Sequence, residues 1–425
     1  MAQGLVPGSW HATGFFRCRR GRGMEQTNTK VVVEDMSEGT SADDESDEPL
    51  HGASRQGDLA GLRKLACQPL NLLLVTFPMG LMSKQMGWGD SVTFWLNFVA
   101  LVPIAGLMGA TTETVALHTG ELIGGLINAT FGNAIEMIVT WQALRKYPQD
   151  HSMVQVVQGS LLGSVLSNLL LVLGTAFLLG GTKFSEQGFN IKGAASNMSC
   201  LLLSSISMTL PTLYQHAPRV TPDHVLMASR LSAMVVASMY VLFLVFQLKT
   251  HVHLFSGEPE EEEEPELSFT TACLALLAIV VAAICSSELL VDAIEGCTEE
   301  ANIPKTFVGV ILLPFVGNAV EHTTAVTAAM KNKMDLAIGI AVGSSSQIAL
   351  FVVPFSVLLA WTMDVPMTLD FQMFDAGVMM LSVLIVSAVL ADGFSNWLEG
   401  AMLISTYILC GTMFYMTPDV GHDEL

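Results

Sequence analysis

The sequence predicts an all-α polytopic membrane protein of about 11 transmembrane helices, one N-terminal helix plus two inverted repeats of five. Three observations predict it. Of 425 residues, 51% are hydrophobic and only 14% charged, and the mean hydropathy is +0.52. Apolar runs of roughly 20 residues, the length that crosses a bilayer as a helix, recur from about residue 70 to the end. Finally, Gly132-Asn133-Ala134-Ile135-Glu136 returns as Gly317-Asn318-Ala319-Val320-Glu321, each copy inside an apolar stretch.

In chain order, residues 1–60 are rich in Gly, Ser, Asp and Glu, with a basic knot at Arg17, Arg19, Arg20 and Arg22. They read as a disordered tail. Residues 61–90 read as an N-terminal helix. Arg63 and Lys64 sit there on a short amphipathic stretch, which either docks on the membrane surface or leads into the first span. Candidate spans fall near 66–83, 91–113, 120–144, 153–180, 192–213, 227–248, 269–294, 305–330, 334–361, 374–391 and 395–415. Glu258 to Glu266 can neither cross a membrane nor bury itself, so 251–268 reads as an acidic linker. It separates repeats at 91–250 and 269–415, and 416–425 is a tail. An odd number of spans per half inverts the second copy, and both pentapeptides fall in the second span of their repeat. That plan places an ion site near mid-bilayer, at the interface of the halves.

Composition also excludes. The formal charge of −20 is concentrated in two solvent tracts, Glu34 to Glu48 and Glu258 to Glu266, so no nucleic-acid partner is expected. The seven cysteines show no CxxC spacing, which argues against a zinc site or a disulfide framework. No HExxH motif is present, so neither an enzyme nor a resident cofactor is expected. Lys and Arg are near balance across the two sides and do not settle orientation.

An acid at mid-span costs roughly 2.5–3.5 kcal/mol unless neutralised. No Lys or Arg lies in a span interior beside Glu136 or Glu321; Arg230 is near a span end. A proton or a bound cation is left to do it, and a site that accepts either is the core of a cation/proton antiporter. The neighbours are oxygen donors. Gly132 and Gly317 loosen the helix so that carbonyls face inward, Pro314 adds a kink, and Asn133 and Asn318 supply amide oxygens. Ser164, Ser167 and Asn168 follow in the first half, and Gly343-Ser344-Ser345-Ser346-Gln347 in the second. Such donors suit Ca²⁺. For Asn133, Asn318, Ser164 and Ser344, hydrogen bonding between helices is the competing use. Glu113 and Glu288 end the first span of each repeat, where they attract cations to an entrance or carry protons. Asp292 and Glu295 read as mouth residues. His322 either relays protons or bonds a neighbouring helix.

The run Leu126-Ile-Asn-Ala-Thr-Phe-Gly-Asn-Ala-Ile-Glu136, with Gly159-Ser-Leu-Leu-Gly-Ser-Val-Leu-Ser-Asn-Leu169, resembles the first signature of the calcium/proton exchanger (CAX) family. The second is matched by Gly317-Asn-Ala-Val-Glu-His322 and by Lys331 to Leu350. The resemblance covers about residues 60–415. It implies an eleven-span antiporter of the Ca²⁺/cation superfamily that loads an acidic store such as a vacuole with Ca²⁺, or in some members Mn²⁺, in exchange for H⁺. It implies cation binding by Glu136 and Glu321 with contacts from Ser344 and Gln347, a first-span glutamate at Glu113, and a regulatory first helix. The long N-terminal tail and Thr111-Thr112 depart from the family pattern. A Na⁺- or K⁺-coupled Ca²⁺ exchanger is the nearest alternative, and a passive cation channel a further one. Beyond Ca²⁺, H⁺ and lipid, a homo-oligomer is left open. The closing His422-Asp-Glu-Leu425 gives an endoplasmic-reticulum address as the alternative location.

Overall fold

A computed structural model describes residues 55–252, 265 and 267–417. The tail 1–54, most of the acidic linker and the His422–Leu425 address lie outside the described residues. The expected helical class is what the structure shows. Helices run α1 Arg55–Ala66, α2 Pro69–Met86, α3 Asp90–Leu117, α4 Glu121–Phe131, α5 Ala134–Lys146, α6 Met153–Lys183, α7 Ile191–Gln215 and α8 Pro222–Thr250. The second half has α9 Phe269–Asp292, α10 Ile294–Ala301, α11 Lys305–Gly317, α12 Ala319–Met330, α13 Met334–Thr362, α14 Met373–Val389 and α15 Trp397–Met416. Among the described residues, strand pairing is confined to Gln187–Gly188 against Phe394–Ser395.

Each predicted span coincides with a helix or a broken helical pair. Six helices among the described residues (α3, α6, α8, α9, α13 and α15) are long and apolar enough to cross a membrane, and up to eight if each bent pair is one span. α14, at 17 residues, is shorter. The segment expected as one N-terminal helix over 61–90 is instead the end of α1, a turn and α2. The pair bends by 76°, where Pro69 supplies no backbone donor and fixes its own φ.

α6 and α13 form the centre: 83% of the apolar window of α6 and 61% of that of α13 are buried, against 22% for α8 and α15. Small residues allow the approach. On α6, Gly159 and Gly163 lie against Val310 and Pro314 of α11, and Gly174 lies against α15 at Leu403, Ile404 and Gly400. Both central helices loosen into a wide π turn at matching places, Ser167–Val172 and Ile348–Val352. Such turns inside α-helices concentrate at functional sites.

The two ends of the bundle are built differently. At one end ion pairs tie α2 and the first half to the second: Lys84 to Asp292 at 2.5 Å and Lys305 to Asp150 at 3.3 Å, with Lys305 also 3.7 Å from Glu295 of its own half. At the other, Gln187 Nε2 donates to Ala329 O and Asn332 Oδ1, both at 2.9 Å. The backbone N–H of Asn190 there donates to Asp335 Oδ1 at 2.6 Å.

α1 is tied to the start of the second half. The Asp58 carboxylate accepts from Ser268 N at 2.7 Å, Ser268 Oγ at 2.8 Å and Thr271 Oγ1 at 2.9 Å. The Ser268 backbone donor, then the two hydroxyls, hold the Asp58 carboxyl below the usual carboxylate range. The clasp is therefore complete at neutral pH and is lost only as pH falls through that depressed value. Asp58→Ala is expected to speed hydrogen exchange over residues 57–66 while leaving the bundle melting temperature unchanged; exchange as slow as in the parent chain would show the clasp to be idle.

Candidate cation site

Both pentapeptides break their helix at the same residue. Asn133, between α4 and α5, has φ −108° and ψ 19°; Asn318, between α11 and α12, has φ −93° and ψ 10°. This bridge region is sparsely allowed and common among active-site residues. α11 and α12 meet at 58°. Each break starts a new helix with its acid in the first turn, where exposed N–H groups and the helix dipole favour negative charge.

The halves interlock at these breaks. Asn133 Nδ2 donates to Ala129 O and, across the interface, to Gln347 Oε1 of α13, both at 3.0 Å. Asn318 Nδ2 donates to Ser164 O of α6 at 3.1 Å. Asn168 Nδ2 donates to Ser344 Oγ at 3.0 Å. With the amide nitrogens so used, the amide oxygens of Asn168 and Asn318 have no hydrogen-bond partner in the protein. Nor do Ser164 Oγ, Glu136 Oε2 and Glu321 Oε2, and all five atoms are buried. Buried polar atoms are paired in the great majority of cases. Three of these unpaired oxygens lie on Ser164, Asn168 and Asn318, residues that the cross-interface bonds hold, and the other two belong to carboxylates that can ionise.

The acids come together. Glu136, 7% exposed, presses its carboxylate on Gly317, where a Cβ would overlap it. Glu321 is near enough for the two charges to interact. The halves are not equivalent here: Glu136 and Gly317 are buried, while Glu321 is half-buried and Gly132 exposed. Ser344, Gln347 and Gly343 line the half-exposed side of α13.

Glu113 is exposed in the last turn of α3. Glu288 is also exposed and lies 4.0 Å from Arg145, a loose surface pair. His322 Nε2 is 2.9 Å from Thr175 Oγ1 of the neighbouring helix α6. Thr112, treated above only as a departure, carries a further buried hydroxyl without a hydrogen-bond partner. No signal in the sequence distinguished it from the other threonines of the spans. Among the described residues there is no group of three or more His, Cys, Asp or Glu. The donor set is instead two carboxylates with neutral amide and hydroxyl oxygens, which is hard-cation chemistry.

The chain belongs to the sodium/calcium exchanger protein family, whose model matches residues 90–249 and 271–416. It is 41% identical over 366 residues to a Ca²⁺/H⁺ antiporter of Aphanothece halophytica, covering 82% of this chain and 96% of that one. It is 39% identical over 383 residues to a vacuolar calcium ion transporter of Schizosaccharomyces pombe, covering 87% and 91%. The fold is similar to that of native YfkE, with a TM-score of 0.71 at 33% identity over 82% of this chain and 100% of that one. It also matches the H⁺/Ca²⁺ exchanger CAX in fold, with a TM-score of 0.63 at 13% identity over 84% and 92%.

Proposed function

We propose that the chain is a secondary active antiporter that exchanges Ca²⁺ for H⁺ and loads an acidic organelle, such as a vacuole, by alternating access. The observation that carries this is the set of five buried, unpaired oxygens, two of them on interacting carboxylates and three on Ser164, Asn168 and Asn318. A dehydrated Ca²⁺ takes 6–8 oxygens at about 2.3–2.6 Å, and each of these atoms has lone pairs free for it. Glu136 and Glu321 bind the ion with Asn168, Asn318 and Ser164. Ser344 and Gln347 hold the amides in register, and the backbone at Gly317 gives the Glu136 carboxylate room. The names of the relatives from Aphanothece and S. pombe support the cargo, and the vacuolar name of the second supports the location.

The same carboxylates serve both cargoes. At neutral pH they are available to Ca²⁺. On the acidic side protons compete for the same oxygens, Ca²⁺ leaves, and the protonated site returns. In both crossings the buried acids are neutralised, which removes the penalty for carrying charge through the bilayer. A thousandfold Ca²⁺ gradient costs roughly 4 kcal/mol. Each pH unit supplies about 1.4 kcal/mol per proton, so two protons over about 1.5 units nearly match it.

Purified protein in liposomes with an imposed pH difference is expected to take up radiolabelled Ca²⁺, and a protonophore to stop it. Uptake that survives the protonophore and follows a Na⁺ or K⁺ gradient would replace this reading with an alkali-cation-coupled exchanger. Flux without any gradient, with unitary currents, would replace it with a channel. Mn²⁺ in the same assay reads selectivity.

A further inference from the structure

At the ion-paired end of α6, a cavity of about 360 Å³ opens between α6, the end of α7, the start of α11 and the loop 363–372 before α14. Its polar lining includes Gln155, Gln158, His216, Thr306, Asp370 and Asp375. The loop is held in place from three helices. Gln158 Nε2 of α6 donates to Thr368 O at 2.9 Å and Asp370 O at 3.2 Å. Phe371 N donates to Thr212 Oγ1 of α7 at 3.0 Å, and Leu369 N to Ser229 Oγ of α8 at 2.9 Å. Gln215, with its amide turned to satisfy both groups, donates to the Asp370 carboxylate. The cavity is thus preformed.

Its position matters more than its polarity. Gly159 belongs to its wall, and Ser164 of the central site is five residues further along α6, about 7.5 Å at 1.5 Å per residue. Between them, Gly163 packs directly on the backbone of Val310 and the ring of Pro314. This contact has no side chain on the α6 side, and α11 leads from it straight to Asn318. With α1 on the cytosolic side, and α2, α3 and the α4–α5 pair each crossing once, α6 begins on the lumenal side of the membrane.

We propose that this cavity is the proton-side mouth of the ion path, releasing the hydrated divalent cation and admitting protons, with Asp370 and Asp375 as its charged lining and the Gly163 contact with Val310 and Pro314 as its closed gate. The inference rests on the antiport reading. The titratable lining groups are His216, Asp370 and Asp375; Lys305, next to Thr306, is engaged with Asp150 and Glu295. Burial pushes the loop carboxyl of Asp370 up to about 6, with His216 opposing it. Asp370 therefore changes charge between a neutral and an acidic compartment. Its cation-attracting charge is present when the pH on its side is above that value and fades below it.

Two measurements in sealed, uniformly oriented vesicles test this. The double variant Asp370→Asn, Asp375→Asn is expected to slow exchange by about tenfold at a lumenal pH near 6, to flatten the lumenal pH profile, and to keep the parent's KM for cytosolic Ca²⁺. A lumenal pH profile identical to the parent's would overturn the proposal. Thr306→Cys, in a chain otherwise free of cysteine, is expected to react with a charged, membrane-impermeant thiol reagent from the lumen and not from the cytosol. Labelling from the cytosol, or from neither side, would also overturn it. The sidedness of labelling does not depend on transport. A parent chain without pH-driven uptake would remove the antiport reading, and labelling would still show which side the cavity faces.

Discussion

Glu321→Gln and Glu136→Gln are each expected to abolish pH-driven Ca²⁺ uptake while the protein stays folded. Glutamine keeps the shape and removes the charge. In the parent chain the Oε2 atoms of both acids are buried and without a hydrogen bond. Breaking one partner out of a buried charge pair costs about 3–5 kcal/mol, or roughly two to four orders of magnitude in affinity at 1.4 kcal/mol per tenfold. The loss therefore exceeds anything raised cytosolic Ca²⁺ restores. Stability moves the other way. A buried ionised group is costly without its counter-ion, so both variants are expected to melt no lower than the parent in chelator. Ca²⁺ is expected to raise the melting temperature of the parent by mass action and to leave that of the variants unmoved. Uptake at the parent's rate in both variants would defeat the assignment of the site. A melting temperature lowered in chelator would mean that the acids serve the fold.

Much of this site was legible in the sequence because a broken membrane helix needs visible residues. Gly132-Asn133 and Gly317-Asn318 each offer a loosened turn inside an apolar run, and Glu136 and Glu321 are polar where polarity is costly. The structure breaks both helices at those asparagines. What pairs with what was not legible. That Asn133 reaches Gln347, 214 residues away, or Asn318 the carbonyl of Ser164, depends on how two halves pack. No local periodicity encodes that. Ser344 and Gln347 stood out by family resemblance, and here they sit as amide partners within the cluster. Glu113 and Glu288 hold matching places in the repeat, and the structure leaves both exposed, Glu288 beside Arg145. The amphipathic stretch with Arg63 and Lys64 stood apart from the apolar run after it, but nothing in the sequence set the angle at which α1 meets α2. The cavity at Asp370 was missed because one acid in a short loop and another at the start of the next span, Asp375, look like any solvated connection.

Gly317→Ala is expected to be nearly as damaging as loss of either acid, although it adds one methyl group. The Glu136 carboxylate lies where that Cβ would stand, so the acid must swing away from Glu321 and the asparagine oxygens. The backbone gives no reason for misfolding: Gly317 closes a helix with ordinary right-handed geometry, where alanine is favoured over glycine by about 1 kcal/mol. The variant is therefore expected to melt at or above the parent in chelator and to lose both Ca²⁺ uptake and the Ca²⁺-dependent shift in melting temperature. Gly343→Ala is the control, since a Cβ there meets no atom within 4 Å, and uptake should persist. The inequality of the halves sharpens the test. Gly132, the counterpart of Gly317, is exposed and has no carboxylate against it. If the repeats exchange conformations during transport, Glu321 packs on Gly132 when the site faces the other way. A Cβ at Gly132 would meet the Asn128 carbonyl at 2.6 Å and no carboxylate, so Gly132→Ala shifts the end of α4, keeps more of the Ca²⁺-dependent stabilisation than Gly317→Ala, and slows turnover. Equal loss of Ca²⁺-dependent stabilisation in Gly132→Ala and Gly317→Ala would show that the two glycines act in one conformation and that the halves do not trade roles.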